Sequence, residues 1–277
     1  MKISLLSHFA LAIVLTIGLV AIPSVSQAVD GVVIITQAQA NTKGFPVIIN
    51  QPGSYQLASN LTVPDENTDA IKIAADNVTL NLNGFSILGP NTCSRQNLAV
   101  QCNKNGNGVG VRSDPDPFNY PFSRNGLTII NGAIRGMGGS AIIGGDNLHV
   151  ENLTINSNGG DGISQTISYG NAIITRNTIS VNRGDGIAAP FGGSITNNTV
   201  SFNGDNNTRA GIIVTFANLI GNTVQGNAGF GLFVINNTTT TGYVNNVFVG
   251  NHGLGGDGQV SGGTQLGGNL CNGALCP

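Results

Sequence analysis

Asn177-Thr178-Ile179-Ser180-Val181, Asn198-Thr199-Val200-Ser201-Phe202, Asn222-Thr223-Val224-Gln225 and Asn246-Val247-Phe248-Val249 are four versions of one phrase, an asparagine followed by a short β-prone segment. The asparagines are 21, 24 and 24 residues apart. Asn152 and Asn131 extend the series backward by 25 and 21 residues, and Asn83 lies 48 residues before Asn131, two coils with an insertion between them. A second phrase, glycine and then an apolar strand, begins at Gly110, Gly162, Gly186, Gly211 and Gly231, and Ile71 and Ile142 begin equivalent strands without the glycine. Asn158, Asn182, Asn203, Asn227 and Asn251 make a third column. Self-similarity at a fixed period of this size is the mark of a solenoid. The period accommodates three short strands and three turns, so successive coils stack strand on strand, and about eight coils at about 4.8 Å each make a rod of about 40 Å. A leucine-rich repeat has a similar period, but its leucine pattern is absent. A propeller or sandwich needs antiparallel hairpins, for which Asn-Gly loops are too few. The expectation is an all-β parallel β-helix.

The pleat assigns sides. Leu80, Ile174, Ile195, Leu219 and Tyr243, three residues before their asparagines, point inward, as do Ile179, Val200, Val224 and Phe248, two after. Asn177, Asn198, Asn222 and Asn246 form a ladder at a turn, where asparagine tolerates the left-handed conformation and bonds its stacked copies. The coils at Asn131 and Asn152 are one residue out of phase, which implies a turn of different length there.

The N-terminus reads as an export signal. Lys2 precedes the apolar run Ala10–Ile22, and Ser26-Gln27-Ala28 offers a cut before Val29. The run is shorter than the roughly 20 residues of a membrane span, so no membrane insertion is expected after cleavage. The expected organisation is a signal peptide at 1–28, an N-terminal cap and first coil at 29–65, the β-helix at 66–260 with insertions at 90–108 and 112–125, and a C-terminal cap at 261–277. Charged residues are only 9% of the chain and the net charge is −2. There is no basic stripe, which excludes a nucleic-acid partner. Glycine (41) and asparagine (37) dominate while good helix formers are sparse, so helix is nearly excluded. Four cysteines allow three pairings. Cys93 with Cys102 and Cys271 with Cys276 are preferred because each pair is close in sequence. A metal site is the weaker reading, since no His or Asp/Glu accompanies either pair at ligand spacing.

Gly53-Ser54-Tyr55-Gln56-Leu57, the segment Asp76–Gly89 and the Asn-Thr-Ile and Asp-Gly-Ile coils resemble the pectin-lyase-like right-handed β-helix superfamily, and more closely its secreted bacterial members of unknown function. The resemblance covers nearly all of residues 45–260. It implies a right-handed parallel β-helix, and it implies no single activity, because the superfamily includes lyases, hydrolases, epimerases, adhesins and binding proteins.

That resemblance also says where to look. The superfamily's lyases use clustered Asp with Ca²⁺ and a basic residue on the first parallel sheet. Here the outward column of that sheet reads Lys72, Arg112, Ile143, Ser164, Ala188, Ile213, Phe233, without a carboxylate. The hydrolases' Asn-Thr-Asp and paired Asp motifs are absent, and Asn251-His252-Gly253 stands without an Asp pair. The best carboxylate pair is Asp161 and Asp185, 24 residues apart and so stacked about 5 Å from each other. Arg183 and Arg209 lie near the same corner. A structural turn with Arg pairing is the favoured reading, with Asp69 and Asp257 in the same column, and a Ca²⁺ or ligand site is the other; no further cofactor is expected. The proline-rich loop 112–124 is a second candidate, with Arg112, Asp114, Asp116 and Arg124 to bond hydroxyls and Phe118 and Tyr120 to stack on a sugar. His149 faces solvent with no triad partner.

No catalytic constellation emerges. The leading expectation is a secreted, non-catalytic β-helix, structural or carbohydrate-binding, with a polysaccharide as the potential partner and the oligomeric state open. One alternative is a lyase, hydrolase or epimerase acting on an acidic polysaccharide. Another is a surface-association module using Ile213 and Phe233.

Overall fold

The computed structural model describes residues 31–114, 124–165, 170–189, 191–205, 209–237, 240–253 and 258–276. The chain winds as a parallel β-solenoid of nine rungs. Nine strands stack in chain order into one sheet: Val47–Ile49, Ile71–Ile73, Val111–Ser113, Ile142–Gly144, Ile163–Gln165, Ile187–Ala189, Ile212–Val214, Leu232–Val234 and Val260–Ser261. The other two faces of each rung belong to an 18-stranded sheet. There Ala172–Thr175 pairs with Gly193–Thr196, and Thr178–Ser180 with Thr199–Ser201, on either side of the asparagine turn.

The inward columns hold. Ile71, Val111, Ile142, Ile163, Ile187, Ile212 and Leu232 lie in register and are fully buried. Leu80, Ile174, Ile195, Leu219 and Tyr243 line a second wall, and Ile179, Val200, Val224 and Phe248 a third. Three short apolar strands per turn thus close a continuous core that no single rung could bury alone.

Two asparagine ladders, not one, run inside the turns. In the first, Asn177, Asn198, Asn222, Asn246 and Asn269 are buried, and each Nδ2 donates to the Oδ1 of the next at 2.9–3.0 Å. The same Oδ1 also accepts the preceding asparagine's backbone N–H, as Asn222 does from Asn198 at 3.0 Å. The second runs Asn158, Asn182, Asn203, Asn227, Asn251 and ends on Gln259 Oε1. The ladder asparagines are not the left-handed residues. That conformation falls one residue earlier, at Arg176, Asn197, Gly221, Asn245 and Gly268 in the first ladder and at Ser157, Val181, Phe202, Gly226 and Gly250 in the second. This also explains the phase slip. Glu151 pairs with Thr175 and Thr154 with Thr178, so the turn keeps its length and Asn152 sits opposite Arg176. Asn131 (φ 60°) and Asn152 (φ 56°) occupy the left-handed position itself, and Leu153 takes the ladder place, donating its N–H to Asn177 Oδ1 at 3.0 Å.

One helix, Gln37–Lys43, was not expected from composition. It is nucleated locally: Thr36 and Gln39 form a capping box, side chain to backbone in both directions. Its Ala40 is buried near the first rung. At the other end, Leu270–Cys271 continues the parallel stack and then folds back on Ala274–Leu275, closed by the Cys271–Cys276 disulfide. Cys93 and Cys102 join the two strands of a hairpin, Cys93–Gln96 and Ala99–Cys102, inside the first insertion.

Asn222→Ala strands the Asn198 N–H and the Ile195 carbonyl, both buried partners of this amide. It should lower stability by about 2–4 kcal/mol, because unsatisfied buried groups keep their full desolvation cost. Asn152→Ala, which removes an exposed 2.9 Å bond to Asn131 and places alanine at positive φ, should cost about 1 kcal/mol. Urea melts of the two variants check the ranking; equal losses would deny the ladder its role.

Candidate functional site

The corner ahead of the nine-stranded sheet places a polar side chain in four rungs, two residues before the inward apolar residue. There Asp69, Ser140, Asp161 and Asp185 each accept a backbone N–H from the next rung: Val109 at 2.7 Å, Asp161 at 3.0 Å, Asp185 at 2.9 Å and Ala210 at 2.6 Å. The rungs pass so close that a Cβ on Gly184 would lie 2.1 Å from Asp161 Oδ1, so the position next to the carboxylate has to be glycine. Asp257 lies outside the described residues, and the register Leu232 to Val260 puts Gly258 at that column.

Arg209 Nη1 reaches Asp185 Oδ2 at 3.3 Å and lies 4.0 Å from Asp161 Oδ1. Arg183 does not join that pair. Its Nε meets Asp205 at 3.2 Å and its Nη1 donates to Asn105 Oδ1 at 2.6 Å. Burial pushes the Asp161 carboxyl up, against the opposing N–H of Asp185 and the charge of Arg209. It pushes Asp185 up to about 6, with the Ala210 N–H opposing and the neighbouring Asp161 charge adding. Asp185 is only 9% exposed and sits behind Asp161.

These groups wall a cleft of about 530 Å³ over the corner. Asp161, Ser140, Arg183, Asp205 and Arg209 line it, together with the amides of Asn67, Asn105 and Asn107 and the backbone of Gly159, Gly160 and Gly184. Asp205, Asn105, Asn67 and Asn107 were not singled out in the sequence. Asn105 arrives from 78 residues away, carried by the disulfide hairpin, which clamps onto the turns below: Val100 N–H donates to the Gly204 carbonyl at 2.8 Å, and the Arg95 guanidinium lies 4.8 Å over the Phe202 ring. Residues 105–107 of the insertion at 90–108 therefore line the cleft, while most of the proline-rich loop lies outside the described residues. Only the internal 93–102 pairing of that insertion was readable beforehand.

The other proposed residues are dispersed. Arg112 is spent on Asp69, Nε to Oδ2 at 2.5 Å, and touches the cleft margin through the Asn107 carbonyl at 3.1 Å. Asp114 pairs with Lys72 at 2.8 Å. The Arg124 carbonyl accepts the Asp146 N–H at 3.0 Å, at a different turn. Asp116, Phe118 and Tyr120 lie outside the described residues. His149 is not free in solvent: it is half-buried, 3.1 Å from Glu151, whose carboxyl is held low by the hydrogen bond and charge of Arg176. The outward column keeps its order, and Phe233 stacks on Phe230 at 5.7 Å. Among the described residues, no three His, Cys, Asp or Glu converge to hold a metal ion, and no helix is long and apolar enough to cross a membrane.

A parallel solenoid with stacked asparagine turns and an edge cleft defines a β-helix protein, and the sequence agrees. Residues 122–270, more than half of the chain, match the family described as the right handed beta helix region, and the chain belongs to that family. Among solved structures it is similar to the A-module of a mannuronan C-5 epimerase from Azotobacter vinelandii, with 14% identity, a TM-score of 0.51, and coverage of 79% of this chain and 68% of that one. It is also similar to the Dettilon tailspike protein, with 12% identity, a TM-score of 0.38, and coverage of 85% of this chain and 60% of that one. At these identities the likeness is one of fold. No curated protein matches the sequence.

Asp185 binds its proton more tightly folded than unfolded, so its contribution is fully present below the ordinary carboxylate range and is lost as pH rises through about 6. Asp185→Asn removes that titration. The melting temperature of the wild type relative to this variant should fall by a few degrees between pH 4 and pH 7. Parallel curves across that range would mean the carboxyl titrates normally.

Proposed function

We propose that this β-helix is exported and binds a glycan in the corner cleft without transforming it. The observation that carries the reading is the lining: amides, guanidiniums, carboxylates and glycine backbone, the donor and acceptor mixture that hydroxyl-rich ligands use, in a cleft large enough for several sugar units. The carboxylates support a binding role over a catalytic one. Asp161 and Asp185 are each occupied by a backbone N–H of the next rung, and Asp185 stands behind the wall. Export is supported by the segment Lys2 to Ala28 and by the two disulfides, which persist in oxidising compartments.

A second reading has one specific observation in its favour. Asp161 lines the cleft with its carboxyl pushed up, beside Arg209, which is how a general acid in a lyase, hydrolase or epimerase would be prepared.

A glycan panel read by calorimetry separates the two. Binding to at least one glycan is expected, weakened at least tenfold by Arg183→Ala and by Asn105→Ala while both variants keep the wild-type melting temperature within a few degrees. Release of unsaturated or shortened product, abolished by Asp161→Asn, would replace the binding reading with the enzymatic one. Silence across the panel would remove both.

A further inference from the structure

The cleft's charges are already committed to one another. Three carboxylates, Asp161, Asp185 and Asp205, stand against two guanidiniums, Arg183 and Arg209, which leaves one surplus negative charge. Each guanidinium is within 3.3 Å of a carboxylate oxygen. Among the described residues near the cleft, Lys104 is paired with Glu66 at 3.3 Å and Arg112 with Asp69 at 2.5 Å. The guanidinium charges are already balanced by these carboxylates, so an incoming carboxylate would add a second surplus negative charge to the cleft and meet the repulsion of Asp161, Asp185 and Asp205. Hydroxyls bring no such charge. They donate to the carboxylate oxygens and bond the amides of Asn67, Asn105 and Asn107.

The lining also has a direction. Ser140, Asp161, Arg183 and the pair Asp205 and Arg209 come from four successive rungs, so the cleft runs along the rod for about 14 Å at about 4.8 Å per rung. An extended glycan advances by close to that step per sugar. Gly160 and Gly184 in the lining present backbone without side chains between these polar groups.

We infer that the cleft takes a neutral, extended glycan along the rod axis, one sugar per rung, and discriminates against uronate polymers. The inference rests on the glycan-binding reading above and names its ligand class.

Calorimetric titration of the full chain with xylotetraose, mannotetraose and tetragalacturonate at pH 7.5 tests it. At least one neutral tetraose should bind tenfold or more tightly than tetragalacturonate. Asp185→Asn, at a residue that does not itself line the cleft, removes one negative charge beside Arg209; it should raise tetragalacturonate affinity several-fold and leave the neutral tetraose within twofold. Tetragalacturonate binding as tightly as the best neutral tetraose, or no response of its affinity to Asp185→Asn, would overturn the inference and leave glycan binding standing. No binding by any of the three, nor by any other glycan, would remove glycan binding itself and this inference with it.

Discussion

A buried asparagine amide that bonds its own copies above and below is the interaction on which the rod depends. A two-residue turn inside a coil leaves backbone N–H and carbonyl groups facing inward, away from water, and such groups are costly unless paired. The asparagine amide solves this in one side chain. Its two hydrogens go to a neighbouring carbonyl and to the next asparagine, and its oxygen receives the N–H and amide of the preceding one, as at Asn222. Because every member satisfies its neighbours, the ladder is worth most when continuous. Its register also holds Val181 and Phe202 at positive φ, a conformation that β-branched and bulky residues otherwise avoid.

The corner with the aspartates obeys the same logic with a different consequence. Asp161 and Asp185 repeat the ladder's acceptor role toward the next rung's N–H, but a carboxylate brings charge with it. Burial raises both, the neighbouring Asp161 charge raises Asp185 further, and Arg209 lies against the pair. The groups that close this corner are therefore also the groups that make it polar. Asp161, which accepts the Asp185 N–H, also lines the cleft.

The insertion at 90–108 converts this polar corner into a cleft. A solenoid by itself has convex corners, which hold little. The hairpin, closed by Cys93–Cys102 and seated on the Gly204 carbonyl and the Phe202 ring, anchors the segment that follows it and brings Asn105 and Asn107 to the cleft. The chain leaving its base delivers Asn105 to Arg183, so the insertion and the charged corner are hydrogen-bonded into one unit.

The periodic content of the chain was legible from sequence alone. Repeating Asn-Thr-Ile and Gly-Ile phrases carry the parallel stack, its inward columns, the outward column from Lys72 to Phe233 and the stacking of Asp161 on Asp185, because in a solenoid a fixed sequence interval is a fixed spatial step. Local chemistry was legible too, in the Cys93–Cys102 and Cys271–Cys276 pairs, whereas the Thr36-to-Gln39 capping box and its helix were hidden behind a composition poor in helix formers. What only the tertiary structure decided was anything without a period. The left-handed residue falls one position before each ladder asparagine, because backbone hydrogen bonding between rungs, not side-chain preference, chooses it. Arg183 turned to Asp205 and Asn105 where proximity in sequence suggested Asp185, and Arg112 was taken by Asp69. Those pairings join residues from a turn and an insertion whose approach no spacing encodes.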